Sequence, residues 1–368
     1  MNLNFYMPTK VIMGEDCISQ NEMEFTKLGR KALIVTGAHS AKMNGSLDDI
    51  IKTLELVKID YVIYDKVRSN PTVTCVYEGA KIARDNNVEF IIAIGGGSPM
   101  DAGKAIALLA CQDIKEDEIF GGNISDKVLP MAFVPTTAGT GSEVTQYSIL
   151  TNDKAETKTS ISSPYLFPTV SFLDAKYMDS LSITTTINTA IDALSHAVEG
   201  MISVRATALT NAIAIESIQN IASCFEELRS EKVSRVAREK LLYGSMLAGI
   251  VIAHTGTTAV HSMGYSLTYF KDVDHGRANG LLLGGFLEFV QKAKPELIDT
   301  MLKAMNLTSV EEFQILMNQL FGDKEEITME EMKKYTSIAI KAKNIKNSSV
   351  EPDENVILDI YKKSFGLS

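Results

Sequence analysis

The chain has 368 residues, of which 45% are hydrophobic and 22% charged, and its formal net charge is −10 at pH 7. That length is enough for two domains with separate cores, and the composition excludes intrinsic disorder. So negative a surface repels polyanions, which excludes nucleic acid and anionic membrane as expected partners.

The four cysteines, Cys17, Cys75, Cys111 and Cys224, are scattered without C-x-x-C spacing. This argues against a thiolate zinc site and a disulfide framework, and for a reducing compartment. The N-terminal residues lack the basic start and apolar run of a secretory signal, and no later stretch is apolar for long enough to span a bilayer. A cytoplasmic protein is expected.

In chain order, residues 5 to 13 form an extended segment broken by Pro8 and ending at Gly14. Strands are expected at 31 to 37, 61 to 64 and 89 to 95, alternating with helices at 46 to 56, with Ser46 as N-cap, and at 73 to 84. Short strands that are apolar throughout are covered on both faces, so the repetition implies parallel pairing and a doubly wound parallel sheet. Further strands follow at 131 to 135 and 169 to 173. Helical periodicity then takes over, at 186 to 202, 206 to 228, 233 to 253, 258 to 270, 278 to 293, 328 to 344 and 352 to 363. Gly256, Gly264 and Gly276 are expected as the main helix breakers there. The expected organisation is an α/β domain over 1 to 180 and an all-α domain over 181 to 368.

Three stretches of the first domain suit a dinucleotide. The third strand runs into Gly95-Gly96-Gly97-Ser98-Pro99-Met100-Asp101, where glycines let the backbone turn and approach a ligand. Ser98 is expected as N-cap, Pro99 suits the first turn, and Asp101 completes a capping pattern; backbone N–H groups at the helix start would face a phosphate. Pro135 to Glu143, rich in threonine and glycine, follows the next strand in the same topological position, where open α/β sheets bind ligands. At the end of the first strong strand, Gly37-Ala38-His39-Ser40-Ala41-Lys42 lacks the carboxylate that would accept bonds from the adenosine ribose. A carboxylate there would repel a 2′-phosphate, so its absence favours NADP over NAD.

The second domain holds Asp192 and His196, four apart on a helix and so on one face, with Glu199 on the same stripe as a further ligand or as an acceptor for an imidazole N–H. Of five histidines, His254, His261 and His275 lie in the same helical half, which is more than packing roles alone predict.

Together these residues resemble the iron-containing (group III) alcohol dehydrogenase family. The motifs are Gly-Gly-Gly-Ser-x-x-Asp over 95 to 101, Pro-Thr-Thr-Ala-Gly-Thr-Gly-Ser-Glu over 135 to 143, Asp192-x-x-x-His196, and the pair His261 and His275-Gly276. The resemblance covers nearly the whole chain and is nearest to the 1,3-propanediol and lactaldehyde reductase branch. It implies a dehydroquinate-synthase-like fold with the active site in the cleft between the domains, and an NAD(P)-dependent alcohol dehydrogenase or aldehyde reductase acting on short-chain alcohols or diols.

Carried over position by position, Asp192, His196, His261 and His275 match the family's metal ligands. Gly95, Gly96, Gly97 and Ser98 match its pyrophosphate loop, Thr136, Thr137 and Thr140 its nicotinamide-side loop, and Lys158 a lysine near the cofactor ribose; Gly37 and Ser40 belong to the adenosine end. Iron(II), with zinc as the alternative, fits one carboxylate and three imidazoles, and would polarise the alcohol or aldehyde oxygen. Four protein ligands leave an open position more comfortably on iron than on tetrahedral zinc, and glycine loops would place NADP, with NAD as the alternative. The chain departs from the family where many members carry a further histidine four residues after the third ligand, since Tyr265 stands there. His254 has two readings, pocket lining or plain packing. A zinc- and NAD-dependent polyol dehydrogenase of the same superfamily, a lyase using NAD transiently, and a non-enzymatic binder are the other readings. The extended segment before Gly14 offers an edge strand, and the resemblance implies that such strands pair across a dimer, so a homodimer is expected.

Overall fold

The computed structural model describes residues 3–122, 124–152 and 157–366. The chain divides into two compact units, one holding Tyr6–Thr137 and Gly141–Leu181, the other Ser182 onward together with Ala138–Thr140 and the residues up to Phe5. The main division therefore falls at 181/182, and two short pieces of the N-terminal half join the helical unit.

The first unit runs β1 (Lys10–Met13), α1 (Met23–Thr26), β2 (Lys31–Thr36), α2 (Ser40–Met43), α3 (Ser46–Leu56), β3 (Asp60–Tyr64), α4 (Val73–Asp85), β4 (Phe90–Gly95), α5 (Gly97–Cys111), β5 (Met131–Pro135), β6 (Tyr147–Asn152), β7 (Thr157–Ser162) and β8 (Val170–Leu173). Six strands pair in parallel in the order β1-β8-β5-β4-β2-β3. Alternation along the strands explains the two-sided cover. Leu33, Val35, Ile91, Ala93, Met131 and Phe133 share one core with Val76 and Ala80 of α4 and Ala102 and Ile106 of α5. Their neighbours Ala32, Ile34, Phe90, Ile92, Ala132 and Val134 share the other core with Leu47, Ile50 and Leu54 of α3. Both faces being dry, every residue of β4 is buried, and each large aliphatic side chain there contributes about 1.5–3 kcal/mol. β1 stands at the sheet edge with a half-exposed pattern. The antiparallel hairpin β6–β7, joined by register Tyr147↔Ser162 to Asn152↔Thr157, was not expected: its polar strands carry no apolar alternation.

Two expected caps differ. Gly45, at φ +81°, takes the cap position of α3, while Ser46 is turned to Asn44 Oδ1, which accepts from its N–H at 3.0 Å and its hydroxyl at 2.6 Å. Gly96 caps α5, so Ser98 lies inside the first turn and its Oγ accepts from Asn70 N at 3.2 Å. The Asp101 carboxylate turns away from the helix start to Ser142 and Ile149, because a buried lysine one turn on needs a counter-charge nearby.

The second unit is helical: α6 (Ile183–Ile202), α7 (Ala208–Ala222), α8 (Phe225–Arg229), α9 (Arg235–Thr255), α10 (Ala259–Lys271), α11 (His275–Gln291), α12 (Pro295–Ala304), α13 (Val310–Phe321), α14 (Met329–Ala339) and α15 (Glu354–Phe365). Ser182 caps α6 by accepting from Thr185 N at 3.1 Å, and Ser234 caps α9 in the same way. The helix expected over 206 to 228 breaks at Ser223 and Cys224, and α12 and α13 add two helices where none was expected. Gly256 does end α9, at φ +66°. Gly264 and Gly276 break nothing: they lie inside α10 and α11, where they let helices approach. A Cβ on Gly276 would stand 1.9 Å from Asn188 O and 2.8 Å from Asp192 Cβ, so α11 packs against α6 only because that position has no side chain. Among the described residues no helix is long and apolar enough to cross a membrane.

Candidate active site

Helix α6 presents Asp192, His196 and Glu199 on one buried face, with exposures of 3%, 4% and 0%. Periodicity puts them there, and packing of α6 against α9 and α11 removes them from water. Helices α10 and α11 then bring His261 and His275 to the same point. Asp192 Oδ1 stands 3.9 Å from His261 Nε2, 3.9 Å from His275 Nε2 and 4.0 Å from His196 Nε2. Ligand atoms of Asp192, His261 and His275 lie within 4.8 Å of one another. His196 joins that trio through Asp192, its ring stacked on His261 at 4.7 Å between centroids.

Glu199 is a buried carboxylate with a definite task. Its Oε2 is hydrogen-bonded to His261 Nδ1, while Oε1 accepts from Thr258 N at 2.8 Å, Thr258 Oγ1 at 2.6 Å and Val260 N at 3.1 Å. It therefore serves the otherwise orphaned N–H groups at the start of α10 and, by accepting the Nδ1 proton, leaves the His261 Nε2 lone pair facing Asp192. Burial pushes the Glu199 carboxyl up, but His261 and Thr258 outweigh it and hold it below the ordinary value. Asp192 behaves alike: burial raises it, and the imidazoles of His196, His275 and His261 with the Asn279 amide bring it below the usual carboxylate range. Burial lowers His196, against the pull of Asp192, so its imidazole favours the neutral, ligating form.

A carboxylate oxygen and imidazole nitrogens on one point, with no cysteine in the group, suit a divalent first-row metal ion. The residues fit such an ion. Tyr265 stacks on His275 at 5.4 Å between centroids and 12° between planes, so the residue in the relay-histidine position braces the His275 ring. His254 stacks on Phe5 at 4.2 Å and its Nδ1 is 2.7 Å from Ile250 O, which gives it a packing role.

In the sheet unit, Gly95 ends β4 at φ +146°, and a Cβ there would meet the Pro99 ring at 2.7 Å. A Cβ on Gly96 would stand 3.0 Å from Thr137 Oγ1, so the glycine loop and the threonine loop touch with no room for a side chain. Thr136 is tied to the same loop, its N–H donating to Gly95 O at 2.9 Å. Gly37 follows β2, with the exposed His39 and Ser40 after it, and Lys42 is paired with Asp65 at 2.6 Å. Lys158 lies on β7; burial pushes the Asp101 carboxyl up, and Lys104 and, more weakly, Lys158 oppose it. Thr140 belongs with the helical unit.

Behind these loops lies a buried network that the motifs did not reveal. Lys104, with no exposed surface, donates to Ser142 Oγ at 2.8 Å, Thr145 Oγ1 at 3.2 Å and Tyr147 O at 2.8 Å, and Ser142 Oγ donates on to Asp101 Oδ1 at 2.6 Å. Ser148 Oγ donates to Asp101 O at 2.7 Å. The chain after the threonine loop is thus fastened to the helix that starts at the glycine loop. Burial pushes Lys104 down to about 8, against Asp101 and Glu143, and pushes the buried Glu143 carboxyl up to about 7. The one available signal was Lys104 itself, on the same face of α5 as Asp101.

A sheet unit with a ligand-approach loop at its strand ends, and a helical unit with a carboxylate–imidazole set, define a metal-dependent, nucleotide-using oxidoreductase. The family model for iron-containing alcohol dehydrogenase matches residues 8–175, and that for the C-terminal part of the same family matches residues 186–365. The chain belongs to the iron-containing alcohol dehydrogenase family. It is 36% identical to a 1,3-propanediol dehydrogenase of Citrobacter freundii over 80% of this chain and 75% of that one. It is 34% identical to lactaldehyde reductase of Escherichia coli (strain K12) over 69% of this chain and 66% of that one. An iron-containing alcohol dehydrogenase of Thermotoga maritima superposes with a TM-score of 0.91 at 38% identity, covering 99% of each chain. The protein is accordingly a metal-dependent alcohol dehydrogenase that interconverts alcohols or diols with aldehydes and uses a nicotinamide cofactor; the lyase and the non-enzymatic binder are not favoured.

Proposed function

We propose that this enzyme is an iron(II)- and NADP-dependent reductase of short-chain aldehydes, working in reverse on the alcohol or diol, with Asp192, His196, His261 and His275 as the metal ligands. The observation that carries the reading is the approach of His261 Nε2 and His275 Nε2 to Asp192 Oδ1, each at 3.9 Å, with Glu199 holding His261 in the ligating tautomer. When bound, the ion supplies a Lewis acid for the alcohol or aldehyde oxygen. The protein's own contribution is orientation: Glu199 and Tyr265 hold the rings of His261 and His275.

The first unit acts as the dinucleotide-binding domain and the second as the metal-binding domain. Gly95, Gly96, Gly97 and Ser98 receive the pyrophosphate, Thr136, Thr137 and Thr140 the nicotinamide side, and Lys158 a ribose. Gly37 and Ser40 lie at the adenosine end, and NADP is preferred because no carboxylate at 37 repels a 2′-phosphate; Lys42 adds little, being paired with Asp65. The name and similarity of the propanediol and lactaldehyde enzymes support a small hydroxyl-bearing substrate. The half-exposed edge strand β1, which ends at exposed Met13 and follows exposed Tyr6, supports a homodimer, and the unpaired cysteines support a cytoplasmic location.

Metal analysis of protein purified without added metal, followed by a panel of short alcohols and aldehydes with NADP and NAD, tests this reading. Bound iron and faster turnover with NADP are expected. Full turnover after complete chelation would refute the assignment.

A further inference from the structure

Asn279 lies on α11 one turn after His275 and has no exposed surface. Its Nδ2 stands 3.0 Å from Asp192 Oδ1, 3.2 Å from His261 Nε2 and 3.3 Å from His275 Nε2. The other end of the amide has no such company: Oδ1 is buried without a hydrogen-bond partner among the described residues. It packs over Gly264, one turn after His261 on α10, where a Cβ would come within 2.2 Å of it. One turn past His275, α11 therefore carries the amide, and one turn past His261, α10 makes room for it.

That amide is costly where it stands. Asparagine is a poorer helix former than leucine, and burying an amide oxygen without a partner costs about 1–3 kcal/mol. An apolar side chain of the same size would avoid both costs. What the amide does that leucine cannot is donate to Asp192 Oδ1 at the point where the imidazole nitrogens meet.

We propose that Asn279 is a positioning residue of the metal centre, fixing the rotation of the Asp192 carboxylate so that Oδ1 stays aimed at the point shared with His261 and His275. The inference rests on the metal reading above. Without the Asn279 donor, a carboxylate on a short side chain turns about its terminal torsion, which is broad and two-fold, and the donor set loses its geometry.

Cobalt(II) serves as the probe, because its visible absorption reports coordination geometry independently of turnover. Asn279→Leu keeps the volume and removes the donor; Asn279→Ala is the second variant should the first not fold. Cobalt affinity, measured by competition with a chelator on the full chain, is expected to fall about 10- to 100-fold, with an altered visible spectrum and unchanged secondary structure. A folded variant with wild-type affinity and spectrum overturns the role of Asn279 while leaving the metal reading intact. Wild-type protein that fails to bind cobalt overturns the metal reading, and this inference with it.

Discussion

The molecule buries two groups of charges, and they are balanced in different ways. In the sheet unit, Lys104 reaches Asp101 through Ser142, so cation and anion lie in one hydrogen-bonded chain and the group is close to neutral by itself. In the helical unit, Asp192 and Glu199 are held ionised among imidazoles, and burial drives His196 toward its neutral form. The first arrangement pairs a buried cation with a buried anion and serves structure; the second gathers carboxylate and imidazole donor atoms at one point, the kind of set a divalent cation would fit. A buried cation and anion that compensate one another act as a brace, whereas donor atoms converging from several helices make a candidate binding site.

The largest effect expected from this contrast lies in the helical unit. Asp192→Ala should abolish metal retention and lower kcat by more than about 10³-fold, since a Lewis acid supplies several kcal/mol. NADP binding, followed by fluorescence, should survive, and a variant that keeps both metal and turnover would break the contrast.

Next comes the brace. Lys104→Met leaves Asp101 as an uncompensated buried charge and should cost about 3–5 kcal/mol of stability, read from urea unfolding. Adding Asp101→Leu should recover part of that loss, because it removes the orphaned charge, though the Ile149 N–H and the Ser142 hydroxyl then lose their acceptor. Metal affinity of the folded variants should be unchanged.

Glu143 gives a pH-dependent effect. Burial places its carboxyl at about 7, against 4.5 when unfolded, so the folded protein holds a proton that the unfolded chain releases. Its contribution to stability is complete below the unfolded value and is lost as pH rises through the folded one. Glu143→Gln, neutral throughout, should gain on the wild type as pH rises through that window. Urea midpoints below, within and above it check the sign, and a constant difference would refute it.

The smallest effect concerns cofactor choice. Gly37→Asp should shift the NADP/NAD ratio of kcat/KM toward NAD by about tenfold, roughly 1.4 kcal/mol, without touching metal content. An unchanged ratio would refute the adenosine-end reading.

Much of this was legible in the residues. The apolar runs of β2, β4 and β5 announced strands covered on both faces, and Asp192 and His196 announced one shared helical face, because both are short-range periodicities. The hairpin β6–β7 was not legible, since Tyr147 to Ser162 lacks apolar alternation, nor was the division of 206 to 228 into two helices. Gly264 and Gly276 looked like breakers because the usual cost of helical glycine hides the benefit of close packing against Asn279 and Asn188. Ser98 and Asp101 looked like a cap because local capping rules do not foresee a lysine buried at 104.

The sequence by itself determined the parallel sheet, the helical second half, the family, and the identity of four ligand-type residues. Tertiary structure decided what those residues became. Packing of α11 against α6, and of α10 against α11, brought His261 and His275 to Asp192, Glu199 became the acceptor that orients His261, and Asn279 became a donor to Asp192. Periodicity specifies which side chains share a face of one element, but a site made from several helices depends on the distances at which they pack, and those were set here by glycines whose neighbours no local pattern names.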